Sequence, residues 1–265
     1  MNILLRELKA QRKSLIIWCL GMLFTVAVGM AKFAGYADSG QSINDLFKDL
    51  PPEVQSLVGT GTFDLSTAAG FYGVLFLYLV VLATVHASII GANLIAKEEL
   101  DKTTEFLFVK PVSRHQVITA KLLAGIVNLM ALNIVALLAS IMFVGNQNQG
   151  EPITGDILKL MIGMFILQLI YMCLGAGLAA AGKNPRTAAS TTTGIVLITF
   201  ILSMVIDIND KLANLKYLTP YKYFDAKNLM FGGNFDPIFI ILSALLITIL
   251  LAITYTSYQR RDLNI

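Results

Sequence analysis

An all-α integral membrane protein with six transmembrane helices is predicted by three features of this chain. Of its 265 residues, 56% are hydrophobic and only 14% are charged, too apolar a mixture to be hidden in a water-soluble core. The apolar residues gather in long runs near 14–34, 68–96, 120–144, 157–181, 187–206 and 237–258, each able to cross about 30 Å of hydrocarbon as a helix. Most basic residues fall in alternate intervals between those runs, the asymmetry expected of cytoplasmic loops. No linker, low-complexity tract or repeat divides the sequence, so a single domain is predicted over 1–265.

The same numbers exclude several classes. A net charge of +3 is too small and too scattered for a nucleic-acid surface, so no nucleic acid is expected as a partner. Cys19 and Cys173 both lie inside apolar runs, which points to neither a disulfide framework nor a metal site.

Residues 1–13 alternate apolar Ile3, Leu4, Leu5 and Leu8 with Arg6, Lys9, Arg12 and Lys13. That is the make-up of an amphipathic helix lying among lipid headgroups, or of a cationic flank that orients the first span. The first span, 14–34, has an apolar core longer than the roughly 7–15 residues of a signal peptide, and it is followed by more membrane sequence. The interval 35–67 carries Asp38, Asp45, Asp49, Glu53 and Asp64 against Lys48 alone, and belongs outside. Helical spacing is present at 43–50 before Pro51 and Pro52, and a second short helix is predicted at 53–58.

The second span contains His86, costly at membrane depth. It reads either as a proton relay on the translocation path or, lacking an acidic partner one helical turn away, as a neutral histidine bonded to a neighbouring helix. Asn128 and Asn133 in the third span are predicted interhelical hydrogen-bond partners, with Asn128 a further candidate for the path. The fourth span ends in Gly175-Ala176-Gly177-Leu178-Ala179-Ala180-Ala181-Gly182-Lys183-Asn184. From Gly177 this matches the front of a phosphate-binding loop. Asn184 stands where a magnesium-binding Ser or Thr is needed, Pro185 follows, and no strand precedes it. The small residues are better explained by close helix packing. Ser190, Thr191 and Thr192 open the fifth span, where hydroxyls bond back to their own helix or face a cavity. The interval 207–236 is polar and rich in aromatics, which suit a membrane interface.

Between the second and third spans lies the densest charge cluster of the chain, from Lys97 to Lys121, with the loop proper at 97–117. Pro111 stops a first short helix and Ser113 can cap the next. Its residues Glu98, Glu99, Thr103, Thr104, Glu105, Leu107, Pro111, Val112, Ser113, Arg114 and Lys121 resemble the first cytoplasmic loop of type-2 permeases of the ATP-binding cassette (ABC) family. Lys102 departs from the pattern, where many members carry Gly. The stretch Leu218-Thr219-Pro220-Tyr221, with Tyr223 and Phe224, resembles the outer segment before the last span of the same family.

That resemblance implies an N-terminal elbow helix, a cytoplasmic coupling helix, and both termini in the cytoplasm of a multi-pass cell-membrane protein. It also implies a dimer with a second permease copy or paralogue, and two copies of a separate ABC ATPase subunit that hold ATP and magnesium. This chain itself would bind no cofactor and catalyse nothing. Glu98, Glu99, Asp101, Lys102, Thr104, Glu105 and Arg114 are the coupling-interface candidates, their charges available for pairing with the ATPase. The implied activity is export of an amphipathic substrate such as a drug or antimicrobial peptide. An ion-coupled carrier or channel without an ATPase, and an ABC-type sensor of membrane stress, are the alternatives.

Overall fold

A computed structural model describes residues 3–39, 44, 49–51, 54–55, 63–101, 113–148, 153–182 and 184–260. Six long helices account for most of them: α1 (Ile3–Ser39), α2 (Ala68–Leu100), α3 (Arg114–Gly145), α4 (Thr154–Ala181), α5 (Pro185–Ile208) and α6 (Pro237–Arg260). Each is long and apolar enough to cross a membrane. The helical segments predicted at 43–50 and 53–58 lie largely outside the described residues.

The helix ends follow the local chemistry. Ser113 caps α3 through a reciprocal pair: its Oγ accepts from the Gln116 amide at 3.2 Å while Gln116 Oε1 accepts from the Ser113 amide at 3.1 Å. Asn184 caps α5, accepting from the Arg186 amide at 3.1 Å, with Pro185 in the first turn. The stretch that resembled a phosphate loop is therefore the end of α4 and the cap of α5.

One prediction is corrected. Residues 3–13 do not form a separate surface helix; they are the opening turns of α1, which runs unbroken for 37 residues, about 55 Å at 1.5 Å per residue. No Gly or Pro occurs before Gly21, so nothing interrupts the backbone ladder.

α2 and α4 form the centre of the bundle and pack most extensively. Two glycines allow it. A methyl on Gly91 would lie 2.0 Å from the Met172 carbonyl oxygen, and one on Gly175 2.4 Å from that of Ser88. The two backbones are in contact there, the close approach small residues permit inside a bilayer. α3 packs on both central helices, α1 against α3 and α2, α5 against α2, and α6 against α4. The outer helices α1, α5 and α6 keep most of their apolar surface uncovered.

Between α5 and α6 the chain folds back into the bundle. Two 3-10 segments, Asp210–Tyr217 and Pro220–Phe224, and a single helical turn, Ala226–Leu229, bring Tyr221, Tyr223 and Phe224 into buried positions. The sequence places these aromatics at the interface; they sit deeper because each finds a partner. Tyr221 shares a 2.6 Å hydrogen bond with Thr84 of α2, and Tyr223 stacks on Phe239 of α6 at 4.9 Å. Thr219 Oγ1 donates to the Thr199 carbonyl of α5 at 2.8 Å.

Candidate functional site

The N-terminal end of α1, the last turn of α2, the start of α3 and the end of α6 meet on one face of the bundle. Four charged side chains tie the first three together. Glu98, 4% exposed, accepts from Arg6 of α1 at 2.9 Å through one oxygen and pairs with the buried Lys121 of α3 through the other. Arg6 also bonds Glu7 at 3.1 Å, and the Lys121 ammonium donates to the Leu94 carbonyl as well. Two carboxylates and two cations make the cluster formally neutral, which is what lets Glu7, Glu98 and Lys121 be buried at a membrane boundary while Arg6 stays partly exposed.

This geometry closes the base of the charged loop. Glu98 stands in the last turn of α2 and Lys121 in the opening turns of α3, so the pair holds the two roots of the loop together and Arg6 pins α1 beside them. Arg114 adds the sixth helix, donating to the carbonyls of Tyr258 at 3.2 Å and Gln259 at 2.9 Å. A cation on the last carbonyls of a helix satisfies its orphan acceptors and complements its dipole. The loop is thus mounted on a platform built from four helices.

A family model described as ABC-2 family transporter protein matches residues 1–263. The chain belongs to that family. It is a multi-pass membrane protein and the permease component of an ABC transporter, a family that works with an ABC ATPase. No curated relative matches the chain.

Within this permease the coupling candidates separate into two sets. Glu98 is turned inward by Arg6 and Lys121, so its carboxylate is spent inside the platform. Glu99 is half-buried and Asp101 exposed at the start of the loop, its amide closing α2 on the Lys97 carbonyl at 2.8 Å. Arg114 is half-buried and faces α6. Lys102, Thr104 and Glu105 lie outside the described residues. Sequence reasoning missed Arg6 and Glu7 as parts of this site. Both lie near the chain start, about 90 residues from Glu98, and no local pattern marks them as its partners.

The translocation-path candidates do not converge. His86 is 1% exposed, with its ring 5.0 Å from that of Trp18 on α1. The predicted hydrogen bond to a neighbouring helix is not made: among the described residues neither ring nitrogen has a partner, and the side chain beside it is the tilted indole of Trp18. Asn128 lies between α1 and α3, donating to Gln11 at 2.8 Å and to the Ala124 carbonyl at 2.9 Å. Asn133 similarly joins Gln168 of α4 at 2.8 Å. On α5, Ser190 and the buried Thr192 bond back to the Thr187 and Ala188 carbonyls, and Thr191 is exposed.

On the opposite face, a cavity of about 250 Å³ opens where the folded-back segment meets α2, α4 and α5, lined by Phe76, Phe200, Asp207 and Tyr221 among others. Lys222 at its edge bonds Asp207 at 2.5 Å and Asp225 at 3.0 Å. Burial alone would lower the Lys222 ammonium, but Asp225 and Asp207 reverse that and hold it above its ordinary value.

Proposed function

We propose that this ABC-2 permease is the membrane subunit of an exporter, working as a dimer with a second permease copy and with two separate ATPase subunits. ATP binding there would press the 97–117 loop, and the platform beneath it would carry the displacement into α2 and α3. The observation that carries this reading is the Glu98–Lys121 tie. Helix ends joined by a buried ion pair at the roots of a loop, and pinned to α1 and α6, are coupled to one another. A ligand-driven change requires contacts whose free energy differs between two states, and Asp101, exposed where α2 ends, is a described charge placed to meet a partner.

Both termini are taken to be cytoplasmic. In support, Arg6, Lys9, Arg12, Lys13, Arg114 and Arg260 all belong to the terminus-bearing face, while Lys159 and Lys222 on the other face are each held by acids. The cargo is taken to be amphipathic, a drug or antimicrobial peptide, because aromatic and aliphatic side chains with a few polar groups line the cavity beside the folded-back segment and the cleft between α1 and α2.

The test is reconstitution with the partner ATPase. Reversal of Asp101 to Lys is expected to leave membrane insertion intact and to abolish cargo-stimulated ATP turnover and vesicle export together. Unaltered export in that variant would refute the loop as the coupling contact, and failure of any ATPase to co-purify would favour an ion-coupled carrier.

A further inference from the structure

A cleft of about 290 Å³ lies between α1 and α2 within one protomer. It is separate from the ion cluster and from the cavity on the opposite face. Its mouth is set by Lys97 and Asp101 at the terminus-bearing face, and its inner end by Trp18 and His86. From Lys97 to His86 is about 16 Å along α2 at 1.5 Å per residue, so the cleft reaches well into the span. Polar side chains line it on both sides, Gln11 and Ser14 from α1 facing Asn93 from α2. Polar groups at such depth are costly and are retained where they line a path or bind something.

His86 is the decisive feature. It is 1% exposed, lines the cleft, and has both ring nitrogens without a hydrogen-bond partner among the described residues. A neutral imidazole presents one donor and one acceptor, and leaving both unmade in a buried site is unfavourable. Trp18 beside it offers an aromatic face, and Leu15 with Ile89 supplies apolar wall.

We propose that this cleft binds a small aromatic amphiphile, whose hydroxyl or carbonyl hydrogen-bonds one ring nitrogen of His86 while its ring packs against Trp18. The mixed charge at the mouth, Lys97 with Asp101, suits an uncharged or zwitterionic molecule over a strongly ionic one. That the cleft is where cargo enters from the terminus-bearing side rests on the transport reading; the binding itself does not.

Trp18 is the single tryptophan of the chain, so its fluorescence reports on the cleft without labelling. The purified permease alone, in detergent at neutral pH, is titrated with 4-bromophenol, a heavy-atom quencher bearing a hydroxyl, and with bromobenzene, which lacks one. Saturable quenching by 4-bromophenol is expected, with bromobenzene binding about three- to tenfold more weakly, the span of one neutral hydrogen bond. His86→Leu should lower 4-bromophenol affinity to the bromobenzene level, His86→Gln should retain most of it, and Ser14→Phe should block quenching with His86 intact. Quenching that rises linearly without saturation, or equal affinity for the two probes in the wild type, overturns the proposal even where His86→Leu does not fold. Because no ATPase is present, a failure here is distinct from a failure of transport.

Discussion

Glu98 and Lys121, 23 residues apart in sequence, are joined in a buried ion pair that closes the base of the loop between α2 and α3. Neither residue has another way to be buried at that depth. Glu98 needs its cations because an isolated carboxylate cannot be desolvated, and Lys121 needs both Glu98 and the Leu94 carbonyl for the same reason.

Removing one partner therefore leaves an uncompensated charge. Glu98→Gln or Lys121→Met is expected to destabilise the protein by about 3–5 kcal/mol, read as a drop in the midpoint of thermal unfolding in detergent. The exchange Glu98→Lys with Lys121→Glu should recover only part of this, since the new lysine faces Arg6 at close range. A single variant with an unchanged midpoint would mean the pair is not buried.

The glycine crossing of α2 and α4 gives a second expectation. Gly91→Leu and Gly175→Leu each drive a side chain into the opposing backbone, and overpacking costs about 1–3 kcal/mol or more where the neighbour cannot yield. Gly145→Ala, with nothing within 4 Å of the added methyl, is the control and should melt with the wild type. Comparable losses at all three positions would remove the crossing as the reason for these glycines.

Arg114 holds the end of α6 by two carbonyls. Arg114→Ala should speed amide hydrogen exchange in the last turn of α6 while leaving α4 unaffected, with a stability cost of about 0.3–1 kcal/mol for the lost helix-end cation. Arg114→Lys should restore part of the protection, because an ammonium still reaches one acceptor. Unchanged exchange at Tyr258 and Gln259 would show that the contact is not formed in the membrane.

The folded-back segment yields a fourth expectation. A double-mutant cycle of Tyr221→Phe and Thr84→Val should return a coupling of about 0.6 kcal/mol, typical of hydrogen bonds within membrane proteins. Lys222→Met should loosen the same segment to proteolysis. The lysine's folded value lies above its ordinary one, so its contribution is complete at neutral pH and is lost only as pH rises through that raised value. Loss of protection between pH 6 and 8 would point to another group.

What the sequence made legible were features written locally. Spans follow from runs of apolar residues, and α2 begins at Ala68 as hydropathy predicts. The Ser113 cap needs only Gln116 three positions on, and it sets the start of α3 at Arg114, earlier than the apolar run near 120 suggests. The elbow was misread because charge pattern alone does not say whether a helix lies flat or continues into a span. Glu98 was read as a surface charge because its partners come from α1 and α3, and long-range pairing leaves no local trace. Tyr221 and Tyr223 carried the composition of an interface, whereas their burial depends on Thr84 and Phe239 being opposite them.

The central claim is that the loop beginning at Asp101 meets the ATPase on the cytoplasmic side. Replacing Cys19 and Cys173 and then introducing Asp101→Cys permits one decisive measurement, cysteine-directed cross-linking in vesicles that contain the partner ATPase. The account predicts a permease–ATPase adduct whose yield changes with a non-hydrolysable ATP analogue, and protection of that cysteine from membrane-impermeant reagent applied to intact cells. Labelling from outside intact cells, with no adduct under any nucleotide condition, would contradict it.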